Sequence, residues 1–264
     1  MLTTDYKTGS PNWVDLGTPD TDGAAAFYSG LFGWDYRPGG EEVGGYGVFH
    51  LGEKTVAGGM AVTAEQGPSA WTVYFQSPDA DATAAAVAKA GGAVVFEPTD
   101  VMDLGRMAIF TDPAGVVFAT WQPRRNKGLD AVTEVGSMCW TELYTGDVAA
   151  AAEFYRSVFG WEINEMPFEG GSYTMVKPAG AGEEEAFGGL VPIAADPVED
   201  AERPYWTPYF EVVDCDATAA KAEETGGKVR LTPVFMEGVG RFAKLADPYG
   251  ARFAVIASAP ATGP

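Results

Sequence analysis

Histidine is nearly missing: His50 stands alone in a chain of 264 residues. A facial triad of two histidines and one carboxylate is therefore impossible within one chain, and an imidazole-rich zinc centre is excluded with it. Cysteine is almost as scarce. Cys139 and Cys215 both fall in the second half, so they read as reduced packing residues and not as a disulfide framework. With no histidine to partner them, they are also poor candidates for nucleophiles. Basic residues are few, 17 Lys and Arg against 37 Asp and Glu for a net charge of -20. That balance repels phosphate backbones and anionic lipid, so neither nucleic acid nor membrane is an expected partner. No apolar run reaches bilayer length, and MLTTDYKTGS lacks a basic region followed by an apolar one, so a cytoplasmic protein is the default expectation. A G-x-S-x-G elbow and a phosphate loop are absent too.

What is present is a repeat. GSPNWVDLGTPDTDGAAAFYSGLFGW at 9–34 returns at 136–161 as GSMCWTELYTGDVAAAAEFYRSVFGW. Trp13 answers Trp140, Asp20 answers Asp147, Phe27-Tyr28 answers Phe154-Tyr155, and Phe32-Gly33-Trp34 answers Phe159-Gly160-Trp161, all 127 residues apart. Further on, Trp71-Thr72 answers Trp206-Thr207, Gly91-Gly92 answers Gly226-Gly227, and Asp112-Pro113-x-Gly115 answers Asp247-Pro248-x-Gly250, now at an offset of 135. A constant offset through successive motifs marks two copies of one unit. Eight added residues in the second copy are assigned to its longer hairpin and to the loop from Ile193 to Pro204.

Within each copy the punctuation predicts a strand at Asn12–Leu16, a helix capped by Asp20 with Ala24, Phe27, Tyr28 and Leu31 on its buried face, and a hairpin from Tyr46–Leu51 and Val56–Val62. A strand at Trp71–Gln76 and an Ala-rich helix capped by Asp81 follow, then strands at Val94–Glu97, Arg106–Thr111 and Val116–Trp121. Polar RRNKGLD is the natural linker, which divides the chain into a domain at 1–123, a linker at 124–131 and a domain at 132–264.

The strand, the D-x-x-x-A-x-x-F-Y-x-x-x-F-G-W helix, the Gly-Gly helix end and the final D-P-x-G turn together resemble the vicinal oxygen chelate superfamily of glyoxalase I, bleomycin resistance proteins and extradiol dioxygenases. The W-x-[DE]-L start and tandem arrangement are most similar to actinobacterial two-domain glyoxalase-like proteins, a group that includes a mycobacterial culture-filtrate antigen. The resemblance implies an α+β fold of two domains, each made of two βαβββ modules that form a cupped, eight-stranded mixed sheet.

In metal-dependent members of that superfamily, up to four His, Gln or Glu ligands come from the first and last strands of the modules. The resemblance maps these onto Trp13 and Trp140, Thr72 and Thr207, Ala119 and Ala254, and onto Gly59 or Met60 and Gly189 or Leu190. None supplies a suitable donor, so neither a metal nor another cofactor is expected. His50 is answered by Lys177 and is read as a surface or supporting residue.

Strand alternation turns Asp15 and Glu142 to the same face as the tryptophans. The expected cavity is lined in the first copy by Trp13, Asp15, Tyr46, Val48, Met60, Thr72, Tyr74 and Trp121, and in the second by Trp140, Glu142, Tyr173, Met175, Leu190, Thr207 and Tyr209. Such a lining suits a planar or apolar small molecule. Two other readings stay open: tryptophans that fill the cavity as core, and carboxylates held at its rim by Arg106 or Arg241. The function expected is metal-free binding of a small, aromatic or apolar organic molecule, by a monomer with internal domain pairing or by a homodimer. Its rival is a glyoxalase-type lyase, or a hydroxylase-type accessory enzyme of secondary metabolism, with Asp15 or Glu142 as general base.

Overall fold

The computed structural model describes residues 2–40, 43–168, 171–195 and 203–259. The first half runs β1 (Pro11–Thr18), α1 (Thr21–Phe32), β2 (Asp35–Pro38), β3 (Gly47–Leu51), β4 (Lys54–Ala61), β5 (Ala70–Gln76), α2 (Ala80–Lys89), β6 (Ala93–Val101), β7 (Gly105–Thr111) and β8 (Val117–Pro123). The second half repeats it as β9 (Met138–Thr145), α3 (Val148–Phe159), β10 (Glu162–Phe168), β11 (Gly171–Lys177), β12 (Gly188–Pro192), β13 (Tyr205–Glu211), α4 (Cys215–Glu224), β14 (Lys228–Met236), β15 (Gly240–Ala246) and β16 (Arg252–Ser258). Each half builds one eight-stranded mixed sheet, in the order β2-β3-β4-β1-β5-β8-β7-β6 and its copy β10-β11-β12-β9-β13-β16-β15-β14. The fold is therefore α+β with tandem βαβββ modules.

Helix ends follow the expected chemistry, with one correction. Asp20 and Asp147 accept from the backbone N–H groups of Gly23 and Ala150, and Gly33 and Gly160 close their helices at φ 72° and 73°, where a side chain would be strained. In the second module the cap is Asp79, which accepts from Ala82 N, and not Asp81. Asp81 lies one residue inside the helix and instead receives Arg106. Strands β2 and β10 were not legible in advance: DYRP is short and mostly exposed, so it carries no apolar alternation. Part of the loop expected to hold the added residues, 196–202, lies outside the described residues.

The chain forms two compact units, and each draws on both halves: unit 1 comprises 1–14, 72–129 and 140–207, and unit 2 comprises 15–71, 130–139 and 208–264. Unit 2 has an aromatic core in which Tyr28 stacks on Trp34 at 5.6 Å and meets Trp71 at 5.3 Å and Phe253 at 5.5 Å. Phe210 joins Phe32 and Trp34 at 5.2 and 5.3 Å. Unit 1 repeats this, with Tyr155 stacked on Trp161 at 4.8 Å and meeting Trp206 and Phe118, while Phe75 packs on Phe159. Ring pairs of this kind add about 0.5–1.5 kcal/mol beyond the area they bury.

A buried polar relay runs through each core. In unit 2, Trp71 Nε1 donates to the Tyr28 hydroxyl at 3.0 Å, which lies 3.3 Å from Asp247 Oδ2. Asp247 Oδ1 accepts from the backbone N–H of Tyr249 and Ala251, fixing the D-P-x-G turn. In unit 1, Trp206, Tyr155 and Asp112 repeat the relay at 3.0 and 3.4 Å. Trp34 Nε1 also donates to Gly136 O at 2.7 Å, and Trp161 Nε1 to Gly9 O at 2.9 Å. The repeated motifs of the sequence are thus the members of one network, in which the Phe-Tyr pair of one half meets the turn of the other.

Two expected outcomes follow from this arrangement. Residues 1–123 and 132–264, produced separately, should be unfolded or self-associated and should form a 1:1 complex when mixed; light scattering that finds two stable monomeric halves would contradict the units described. The second concerns acidity. Burial pushes the Asp112 and Asp247 carboxyls up, against the lowering effect of the N–H donors in their own turns. A carboxyl raised in the folded state contributes stability that is present below its unfolded value, about 3.9, and lost as pH rises through the folded value. The melting-temperature deficit of an Asp112→Asn, Asp247→Asn double variant against the wild type should therefore shrink as pH is raised from about 4 to 7, and a deficit that widens instead would refute this account.

Candidate functional site

On β1, Asp15 lies directly opposite Gly58 of β4, and Gly17 opposite Met60. The Tyr46 hydroxyl donates to Asp15 Oδ1. Both groups sit over the bare backbone of Gly58, where an added Cβ would overlap the hydroxyl and the carboxylate. Asp15 is 8% exposed and Met60 36% exposed. These residues all belong to unit 2.

Unit 1 holds the second copy of this pair, in a richer setting. Glu142 lies opposite Gly189, and a Cβ there would collide with the Tyr173 hydroxyl. Tyr173 donates to Glu142 Oε1 at 2.8 Å and receives Trp140 Nε1 at 2.9 Å. Tyr144 donates to Glu142 Oε2, and Tyr205 stacks on Tyr144 at 5.6 Å. Burial, and then the Glu142 carboxylate beside it, push the Tyr173 phenol well above its ordinary range, so it stays a proton donor. Trp140, Glu142, Tyr173, Met175 and Tyr205 are half-buried, which leaves this set open to solvent at its edge.

The carboxylates are therefore met by phenols. Arg106 pairs with Asp81 and Asp100, and Arg241 with Asp216; the expectation that these arginines hold Asp15 and Glu142 is corrected. The glycine that faces Asp15 is Gly58 and not Gly59, whose Cβ direction meets Phe49. Leu190 is 1% exposed and, one residue beyond Gly189, turns to the opposite face, so it leaves the predicted lining. The tightly paired tyrosine and glycine were missed from the sequence, although the consecutive glycines at 58–59 and 188–189 are an unusual feature for strands and signal a close approach.

The remaining predicted residues are more enclosed. Trp13, Tyr74 and Trp121 are 7%, 5% and 7% exposed. Trp121 Nε1 donates to Asn126 O in the linker at 3.0 Å, and its ring covers Gly105, so this tryptophan packs the chain and is not presented to a ligand. Thr72 is half-buried. On β13, alternation sends Trp206 and Phe210 into the aromatic cores and Tyr205, Thr207 and Tyr209 to the opposite face. Thr207 is 3% exposed and its hydroxyl has no hydrogen-bond partner. In unit 2, Tyr209 lies opposite Ala254, which has Lys244 on its other side. Lys244 is 3% exposed, a buried cation that the sequence reading did not single out; its counterpart in the first half is Ile109.

The superfamily's metal chemistry needs converging donors. Trp13, Trp140, Ala119 and Ala254 offer none, Thr72 and Thr207 carry only hydroxyls, and the fourth position is glycine. Among the described residues, no three His, Cys, Asp or Glu side chains are grouped to hold an ion. These residues do not fit a transition-metal centre. Cys139 and Cys215 are buried and unpaired, and burial pushes both thiols up, Cys215 to about 11, which makes them inert. A cleft of about 310 Å³ in unit 2 is lined by Leu31, Phe32, Val135, Val212, Val213 and Lys221 among others, and by none of the residues picked out from the sequence.

Comparison with known proteins agrees with this architecture. The profile of the Glyoxalase/Bleomycin resistance protein/Dioxygenase superfamily matches residues 10–120, and one for the bleomycin resistance protein-like N-terminal region matches 138–177. The glyoxylase-named protein CFP32 of Mycobacterium tuberculosis is 39% identical, with 97% of each chain covered. The anthracycline biosynthesis protein DnrV of Streptomyces peucetius is 38% identical, covering 96% of this chain and 94% of its own. Among solved structures, the 2,3-dioxygenase LapB of Pseudomonas sp. KL28 aligns with TM-score 0.65 at 12% identity over 97% of this chain and 95% of its own. The Mn(II)-bound glyoxalase of Novosphingobium aromaticivorans gives 0.63 at 16% identity, over 94% and 82%. Likeness at that identity speaks for the fold alone. From its full-length sequence relatives and its paired sheets, the chain belongs to the glyoxalase/bleomycin resistance protein/dioxygenase superfamily.

Proposed function

We propose that this protein binds a small, aromatic or apolar organic molecule without a transition metal, on the partly open face formed by Trp140, Glu142, Met175, Tyr173 and Tyr205. The observation that carries the reading is the polar aromatic set itself: half-buried rings beside a carboxylate whose oxygens both receive phenol donors. Rings of this kind give a flat ligand large contact at little cost in side-chain entropy, and the carboxylate fixes its orientation. The relatives named for anthracycline biosynthesis lend weight to a ligand of secondary metabolism.

The rival reading makes Glu142 or Asp15 a general base. Hydrogen bonds donated to a carboxylate favour its charged form and weaken it as a base. Tyr46 on Asp15, and Tyr144 with Tyr173 on Glu142, act in that direction. Holding and orienting a ligand is the better use of such a group.

Tryptophan fluorescence titrations with a panel of planar aromatic natural products should give saturable quenching. The variants Glu142→Gln and Gly189→Ala, the second of which displaces Tyr173, should weaken binding by about tenfold, the loss of one well-placed hydrogen bond. Stoichiometric manganese, iron or zinc in the purified protein, or a panel with no saturable member, would refute the proposal.

A further inference from the structure

The Thr207 hydroxyl is the one polar atom of this face that the folded chain leaves without a use. It lies on β13, two residues beyond Tyr205 and on the same face, and Tyr205 in turn stacks on the Tyr144 that donates to Glu142. All four residues belong to unit 1. At 3% exposure, with Oγ1 unpartnered, the hydroxyl bears a desolvation cost that valine, nearly isosteric, would not. A buried donor and acceptor of this kind matches an oxygen brought by something else.

The charge around it narrows the choice. Glu142 is a carboxylate on the same face, and the chain carries a net charge of -20, so a ligand carboxylate or phosphate would meet repulsion. A neutral oxygen would not. The rings of Trp140, Tyr173 and Tyr205 call for a planar body.

We infer that Thr207 is the polar specificity determinant of this face and that the ligand class is a neutral, oxygen-bearing planar aromatic, a ketone or quinone whose carbonyl accepts from Thr207 Oγ1. This inference rests on the small-molecule reading proposed above and adds to it the identity of the ligand's polar group. Discrimination follows physically, because a site built around a hydroxyl loses affinity for the analogue that leaves the hydroxyl unpaired.

The test compares 9-fluorenone with fluorene, which share a planar skeleton and differ by one carbonyl, in equilibrium dialysis against the wild type, Thr207→Val and Thr207→Ser. The wild type and Thr207→Ser should prefer the ketone by about tenfold, and Thr207→Val should lose that preference while keeping its affinity for fluorene. Thermal unfolding without ligand gives an independent readout: Thr207→Val should melt at or above the wild-type temperature, since it removes an unpaired buried hydroxyl. A lower melting temperature would show that the hydroxyl serves the fold, and a ketone preference that survives Thr207→Val, or equal binding of both probes by the wild type, would overturn the inference while leaving the small-molecule reading intact. No binding of either probe by the wild type would overturn the inference, and the titration panel described above decides the broader reading separately.

Discussion

The tyrosine of each Phe-Tyr pair, buried between an indole donor and a turn carboxylate, is the contact on which the architecture depends. Tyr28 and Tyr155 are fully enclosed, and each meets an aspartate that is already fastening its own D-P-x-G turn. Burial, and next the aspartate beside each one, push both phenols well above their ordinary range, so they remain neutral donors at any physiological pH. A neutral phenol can be buried at modest cost provided its hydrogen bonds are made. Removing one partner would leave a buried polar group unpaired, which costs about 1–3 kcal/mol, a large share of a typical domain's stability.

Much of this was legible before any coordinates. The repeat, the capping aspartates at 20 and 147, the glycines that close α1 and α3 and the second-module strands follow from local rules, and the structure places them where those rules put them. What the pattern could not convey is which module packs on which. A repeat identifies equivalent parts, yet pairing is decided by long-range contacts such as Tyr28 with Asp247, 219 residues apart. Strands β2 and β10 escaped because exposed edge strands carry little apolar alternation. The choice of Asp79 over Asp81 as cap is a shift of two residues, within the ordinary uncertainty of helix ends.

The site was legible in part for the same reason. Alternation along β1 and β9 correctly turned Asp15 and Glu142 to the face of Gly58 and Gly189. Their partners come from other strands, and a sequence gives no cross-strand register. Hence tyrosines hold the carboxylates where arginines had been expected, and Lys244 appeared only once β15 and β16 were paired. Asn12 is a further case: fully buried, with both side-chain polar atoms unpartnered, it occupies the position where the second half has Cys139. Composition gives no warning of such a site.

The linker at 124–131 has a meaning beyond connectivity. Two identical subunits must share every substitution, so any change to one site is imposed on both. Joining the copies in one chain lifts that constraint, and it also replaces a concentration-dependent encounter with a high local concentration. The differences between equivalent positions are what such freedom produces: His50 against Lys177, Asn12 against Cys139, Gly17 against Tyr144 and Ile109 against Lys244. One copy can keep a closed, tightly packed sheet face while the other departs from it, and the scaffold that both share is preserved.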